Sequence, residues 1–233
     1  MDTLSFLTAD QQLLLSFNGS NSVFVDQLAL VLTHAQTWIL LYAALLYLVV
    51  KNNEKASQIL LAIISALVCV GIASGVDNGL VKPMVGRLRP TCDPALQGLV
   101  QIVNGYTGTG YSFFSAHAAN TFSLAVFFSL LIRNRALSLT LLGWAAVNSW
   151  TRLYLGVHYP SDVLVGILFG TGTGLTVYWL YFRLYLRISP KLHYISTQYT
   201  RTGYSLHDID LFMTAAVITC AYVLLRAITT ITI

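Results

Sequence analysis

The sequence predicts an all-α, polytopic membrane protein with six transmembrane helices in a compact bundle. Three observations lead there. Hydrophobic residues make up 56% of the 233 and charged residues only 9%, against roughly 25% charged in an ordinary soluble domain. Mean hydropathy is +0.68. Apolar stretches of about 20 residues, the length that crosses the hydrocarbon of a bilayer, recur along the chain. Thirteen Lys and Arg with nine Asp and Glu are too few to solvate a soluble globule of this size, and the same scarcity excludes a disordered chain and a coiled coil. The net charge of +4 sits in short segments between apolar runs rather than on one soluble face, so no nucleic-acid partner is expected.

The runs fall in order at about 28–50, 58–81, 113–132, 137–155, 160–186 and 211–233. The third and fourth are separated only by Arg133, Asn134 and Arg135, which predicts a tight antiparallel pair. Ahead of them, residues 1–27 read as an N-terminal interfacial segment: Leu13, Leu14, Leu15 and Phe17 are apolar but too short a stretch to span. With no Lys or Arg in the first ten residues, no cleavable signal peptide is expected. Residues 28–186 form an expected core of five spans, and 187–233 a basic connector with a sixth. Gly71, Gly75 and Gly79 on the second span, and Gly166, Gly170 and Gly174 on the fifth, recur every fourth residue. Both ladders are expected to pack against neighbouring helices inside the bundle, with homodimerisation the lesser alternative. Cys69, Cys92 and Cys220 have no paired spacing, and no disulfide framework is expected.

Orientation follows from the cations. Lys51, Lys55, Arg133, Arg135, Arg183, Arg187, Lys191 and Arg201 fall on one side of the bundle, which the positive-inside rule makes cytoplasmic. Both termini then face outward. Lys82, Arg87, Arg89 and Arg152 fall on the opposite side, against the topology signal, and need another reason to be there.

That reason lies in three clusters on the outer side: Lys82 to Pro90, Phe114 to His117, and Thr151-Arg152 with His158 and Asp162. Lys82, Arg89 and Arg152 match the charge of a phosphate dianion and its transition state. Ser115 opens a helix, where free N–H groups and the dipole favour an anion. His158 and Asp162 are four apart, so the carboxylate can fix one ring nitrogen and present the other as a nucleophile. His117 is a second imidazole, suited to protonating a leaving oxygen. No metal or other cofactor is required, because the cations carry the charge that magnesium would otherwise neutralise. Singly, each piece has a plain reading: an interfacial anchor, a helix cap, a local hydrogen bond. Together, at matched ends of consecutive spans, they mark a site. Asp77 is an accessory candidate that either holds a site cation or caps packing, and Arg87 is either a further phosphate contact or a surface cation. Tyr106 and Tyr111 either line the mouth of the site or are interface tyrosines, the reading preferred, and Asn120 and Asn148 are read as bonds between helices. His34, His193 and His207 belong to no constellation.

The three clusters resemble the signature of the type 2 phosphatidic acid phosphatase superfamily, the lipid phosphate phosphatases related to vanadium haloperoxidases: Lys-x6-Arg-Pro, Pro-Ser-Gly-His and Ser-Arg-x5-His-x3-Asp. The first is complete at Lys82, Arg89 and Pro90. The second keeps Ser115 and His117 but has Phe114 for Pro and Ala116 for Gly. The third has Thr151 for Ser. The resemblance implies a haloperoxidase-like helical core over about 28–186, with His158 as the nucleophile that becomes phosphohistidine, Asp162 as its orienting partner and His117 as general acid. Lys82, Arg89, Ser115, Ala116 and Arg152 then hold the phosphate, and alanine keeps the backbone N–H that the family glycine offers. The implied protein is a metal-independent lipid phosphatase of the cell (inner) membrane, its site facing the periplasm. Its implied partners are the bilayer and a lipid phosphate such as undecaprenyl diphosphate, phosphatidylglycerophosphate, phosphatidic acid or a lipid A phosphate. A lipid phosphotransferase on the same site and a non-catalytic lipid-binding or transport bundle are the rival readings.

Overall fold

A computed structural model describes residues 3–188 and 197–230, with side chains from residue 9 onward. Lys191 and His193, and the last three residues of the sixth run, lie outside the described residues. The elements are α1 (Thr3–Phe17), α2 (Val23–Thr33), α3 (Ile39–Lys51), α4 (Ala56–Val76), α5 (Lys82–Val85), α6 (Ala116–Ile132), α7 (Arg135–Tyr154), α8 (Pro160–Ile188) and α9 (Leu206–Thr229). Among the described residues no strand occurs beyond a single Tyr199–Ser205 bridge, so the all-α expectation holds.

The first apolar run is not one straight helix. α2 stops at Thr33, a 3-10 turn at Ala35–Trp38 intervenes, and the two halves are bent by 72°. A broken helix leaves carbonyls without partners, costly in apolar surroundings. Here Thr37 Oγ1 donates to the Val31 carbonyl at 2.5 Å and Trp38 Nε1 to that of Leu32 at 3.0 Å. The break is therefore satisfied by its own side chains. α9 packs against both halves, α2 and α3, and against α7.

α6 is the central helix, packed on α8, α7 and α4. Ser115 caps its start by accepting from Ala118 N. At its other end Arg133 adopts left-handed backbone and Asn134 caps α7 through Leu137 N. The three-residue link thus makes the tight pair the sequence predicts. The α8 ladder packs as expected. A Cβ at Gly166 would lie 2.6 Å from the Ser115 carbonyl and one at Gly174 2.6 Å from that of Ser123, while one at Gly170 would run into the Ala119 carbonyl. The α4 ladder does not pack. A Cβ at Gly71, Gly75 or Gly79 would meet nothing within 4 Å. α4 buries its other small face instead, Gln58, Ala62, Ser65, Cys69 and Ala73, continued by Asp77. Ser74 and Asn120 bond across α4 and α6 at 2.8 Å. Asn148 bonds within its own helix, to the Trp144 carbonyl, and not between helices as expected.

By length and hydropathy three helical runs can cross a membrane, Ala56–Leu96, Pro160–Ile188 and Leu206–Thr229, and the bent α2–α3 pair makes a fourth. The six expected spans are not all of that kind. α6 is apolar but only 17 residues long, and α7 carries Asn148 and Arg152 on its buried face.

The two ladders predict opposite tolerances. Gly170→Leu forces α8 off α6 and should cost about 3 kcal/mol or more, at the top of the range for overpacked cores. Gly75→Leu, on the open face, should leave the thermal midpoint of the purified protein nearly unchanged. Unfolding of both variants in one detergent checks the pair.

Candidate active site

Lys82 is aimed from below. The chain passes from α4 through a π-helical turn, Asp77–Val81, before α5. The wider turn puts Asp77 under Lys82 five residues on, and π turns of this kind recur at functional sites. Lys82 Nζ lies 2.7 Å from Asp77 Oδ2 and donates to Asn78 Oδ1 at 2.8 Å. Asp77 is wholly buried. Of its two readings, holding a site cation is the one the geometry carries.

After α5 the chain turns at Gly86 in left-handed backbone, and Arg87 and Arg89 then take different directions. Arg89 is buried. Its Nε donates to the Thr109 carbonyl at 3.0 Å, and its Nη1 to the Val157 carbonyl at 2.9 Å and to His158 Nε2 at 3.3 Å. The glycine-rich loop wraps it so tightly that a Cβ at Gly108 would lie 2.6 Å from Arg89 Nη1. Arg152, on the last turn of α7, is buried too. Its Nε donates to Thr151 Oγ1 and its Nη1 to the Tyr106 hydroxyl, both at 3.3 Å, and its Nη2 is buried with no protein partner.

His158 lies between α7 and α8. Arginine can only donate, so Nε2 accepts from Arg89 and the imidazole proton sits on Nδ1. Nδ1 faces Asp162 Oδ2 at 3.5 Å, a long contact of the kind that tightens when substrate binds. Burial, joined by the charges of Arg89 and Arg152, pushes the imidazole down to about 4 against the pull of Asp162. The group is therefore neutral at pH 7, with Nε2 unprotonated and facing Arg89. Asp162 is fully buried and held on both oxygens: Tyr159 N donates to Oδ2 at 2.9 Å and Arg87 Nη1 to Oδ1 at 2.7 Å. Arg87 also donates through Nη2 to Asp10 of α1 at 2.7 Å, and its guanidinium lies 3.7 Å from the Tyr159 ring centroid. It stands behind Asp162 rather than among phosphate contacts.

The start of α6 completes the site. Ser115 N donates to the Asp162 carbonyl at 3.0 Å, tying the two helix starts together. The first amides of the helix, those of Ala116 and His117, have no intrahelical acceptor. Alanine thus keeps the N–H donor at this position. Phe114, where the family pattern has proline, packs on Phe169 with ring centroids 4.9 Å apart. His117 is exposed, within electrostatic reach of Arg152, His158, Lys82 and Arg89. Beside these groups Met84, Val85 and Leu88 project as an exposed apolar rim.

The four cations of the three clusters thus divide in two. Lys82 and Arg87 are paired with carboxylates. Arg89 and Arg152 are held by carbonyls, hydroxyls and an imidazole, and among the described residues neither has a carboxylate partner. Two buried positive charges are left to meet an anion beside His158 Nε2. The sequence reading sets Tyr106 aside as an interface tyrosine, although its glycine-rich loop is a signal and its hydroxyl accepts from Arg152, and it misses Asp10, for which local sequence carries no signal.

The PAP2 superfamily model matches residues 55–186. A lipid A 4'-phosphatase of Bacteroides thetaiotaomicron is 36% identical over 220 residues, 94% of this chain and 95% of that protein. Its namesake in Porphyromonas gingivalis is 30% identical over 181 residues, 78% of this chain and 75% of that one. In fold the chain resembles the crystal structure of a transmembrane PAP2 type phosphatidylglycerolphosphate phosphatase from Bacillus subtilis, with a TM-score of 0.59 at 18% identity, over 82% of this chain and 90% of that one. Since the matched segment holds every residue of the three clusters from Lys82 to Asp162, this membrane protein belongs to the type 2 phosphatidic acid phosphatase superfamily.

Proposed function

We propose that the chain is a lipid phosphatase that removes the 4'-phosphate of lipid A through a phosphohistidine on His158. The observation that carries the chemistry is the pair of buried guanidiniums, Arg89 and Arg152, without carboxylate partners beside the unprotonated Nε2 of His158. The match to lipid A 4'-phosphatases over nearly the whole chain supports the substrate.

The phosphoryl group binds with its oxygens on Arg89, Arg152, Lys82 and the first amides of α6. Its negative charge favours the protonated form of His117. The Nε2 lone pair attacks phosphorus, the bond from phosphorus to the sugar oxygen breaks, and His117 gives that oxygen its proton. Asp162 stabilises the charge that His158 acquires. Water then attacks the phosphohistidine, His117 takes a proton from it, the N–P bond breaks and phosphate leaves. The cations do the charge neutralisation, so the reaction proceeds without metal.

All six apolar runs are proposed to cross or enter the bilayer, with α6 and α7 supported by their neighbours rather than by their own hydropathy. The site is proposed to face the periplasm. Lys51, Lys55, Arg133 and Arg135 lie at the opposite helix ends from Arg89 and His158, which supports that direction.

Purified protein in detergent, offered lipid A with a chelator present, should release inorganic phosphate and leave the 1-phosphate in place. Hydrolysis of phosphatidic acid but not of lipid A would refute the substrate, and loss of activity with the chelator would refute metal independence.

His158→Ala should abolish release while the protein still folds. His117→Ala should lower kcat about 10²–10⁴-fold on the lipid. The same variant should lose far less on an aryl phosphate, whose leaving oxygen needs no proton. Equal losses on both substrates would remove His117 from the acid role.

A further inference from the structure

α1 lies outside the family match, which begins at residue 55. It nevertheless reaches the active site. Leu14 is fully buried against Leu96 and Tyr159, and one turn earlier, on the same helix face, stands Asp10. Asp10 is buried, and its carboxylate accepts three bonds. Oδ1 takes the Ser161 amide at 3.0 Å, and Oδ2 takes the Ser161 hydroxyl at 2.5 Å and Arg87 Nη2 at 2.7 Å.

These partners meet at Asp162. Ser161 is its chain neighbour in the first turn of α8, where backbone N–H groups have no helical acceptor. Arg87 is the group that holds Asp162 Oδ1. The guanidinium therefore bridges two carboxylates, one nitrogen to each, while its face rests on Tyr159. Tyr159 is fixed in turn, its hydroxyl donating to Asp93 Oδ2 at 2.7 Å.

We propose that Asp10 is a positioning residue for the phosphatase reaction, acting through Arg87 to set the carboxylate of Asp162 against His158. The proposal rests on the phosphatase reading above. The physical reason is the geometry that Arg87 prefers when free. A guanidinium with one carboxylate partner frequently binds it with two parallel N–H bonds. Arg87 Nη1 also donates to Ser161 Oγ at 2.8 Å, and once Asp10 no longer occupies Nη2, that nitrogen competes with Tyr159 N for the second oxygen of Asp162. That draws Oδ2 away from His158 Nδ1, already at 3.5 Å. The imidazole then loses the partner that fixes its proton on Nδ1 and aims Nε2 at phosphorus. Asp10 is remote from the phosphate-binding cations Arg89 and Arg152, whose bonds go elsewhere, so ground-state binding is unaffected.

The test measures phosphate release by full-length wild type, Asp10→Asn, Arg87→Gln and the double variant in one detergent, with thermal midpoints. Asp10→Asn should lower kcat about 10–100-fold, the scale of a sub-ångström to 1 Å misplacement at a reacting centre. KM should stay near wild type and the variant should remain folded with a lowered midpoint, because one amide oxygen cannot accept every bond the carboxylate takes. In the Arg87→Gln background the same change should cost less than about threefold, because its route is already cut. Asp10→Ser is read alongside in case the amide disturbs Ser161. Wild-type kcat in Asp10→Asn overturns the proposal. So does a loss expressed in KM, an equal loss in the Arg87→Gln background, or failure of both Asp10 variants to fold. Wild type that releases no phosphate overturns the phosphatase reading and this proposal together, whereas active wild type with unaltered Asp10 variants overturns this proposal alone.

Discussion

The close contact between the backbones of α6 and α8 is the constraint on which the rest depends. Each glycine of the α8 ladder sits against a carbonyl of α6, at Ser115, Ala119 and Ser123 in step. A register that tight leaves neither helix free to slide or rotate. Its outermost rung places Gly166 against Ser115, and one turn further the Ser115 amide meets the Asp162 carbonyl. The helix start that offers amides to an anion and the helix start that carries Asp162 therefore come from one packing event. The short link from α6 to α7 then returns the chain to the same end of the bundle, bringing Arg152 and His158 with it. Side-chain chemistry at the site is in this sense a product of missing side chains lower in the bundle.

Charge is the second organising element. Burying a cation is expensive, and an opposite charge or a set of oriented dipoles must offset it. The chain uses both devices and keeps them apart. Carboxylates neutralise Lys82 and Arg87, at the periphery. Carbonyls and hydroxyls hold Arg89 and Arg152, which fixes their direction and leaves their charge. This division accounts for the four cations gathered at this end of the bundle. It also shows that the four are not equivalent, a distinction invisible in a list of basic residues.

Much of this was legible from the chain alone, for a definite reason. Ionisable residues at the edges of apolar runs stand out against their background, so Lys82, Arg89, His117, Arg152, His158 and Asp162 are legible by type and spacing as one constellation. What escaped depends on contacts between distant segments. Asp10 looks like a solvated charge in an interfacial segment until α1 is seen docked through Leu14. Tyr106 looks like any interface tyrosine until its hydroxyl meets Arg152. The two glycine ladders are indistinguishable as strings, yet only one is packed. α4 turns toward the core the face that holds Gln58, Ser65 and Asp77, whose polar groups need partners more than its glycines need a neighbour. The bend in the first run was hidden for a similar reason. Its hydropathy is continuous, and the side chains that make the break tolerable, Thr37 and Trp38, act only once the chain has turned.

The exposed rim of Met84, Val85 and Leu88 next to the cations has a kinetic corollary. An amphiphile whose acyl chains stay against such a rim never passes through bulk solution on its way to the guanidiniums. The quantity that saturates the enzyme is then the mole fraction of substrate in the leaflet, not its molarity. Diluting the lipid with inert amphiphile slows turnover, while diluting the whole suspension with buffer does not.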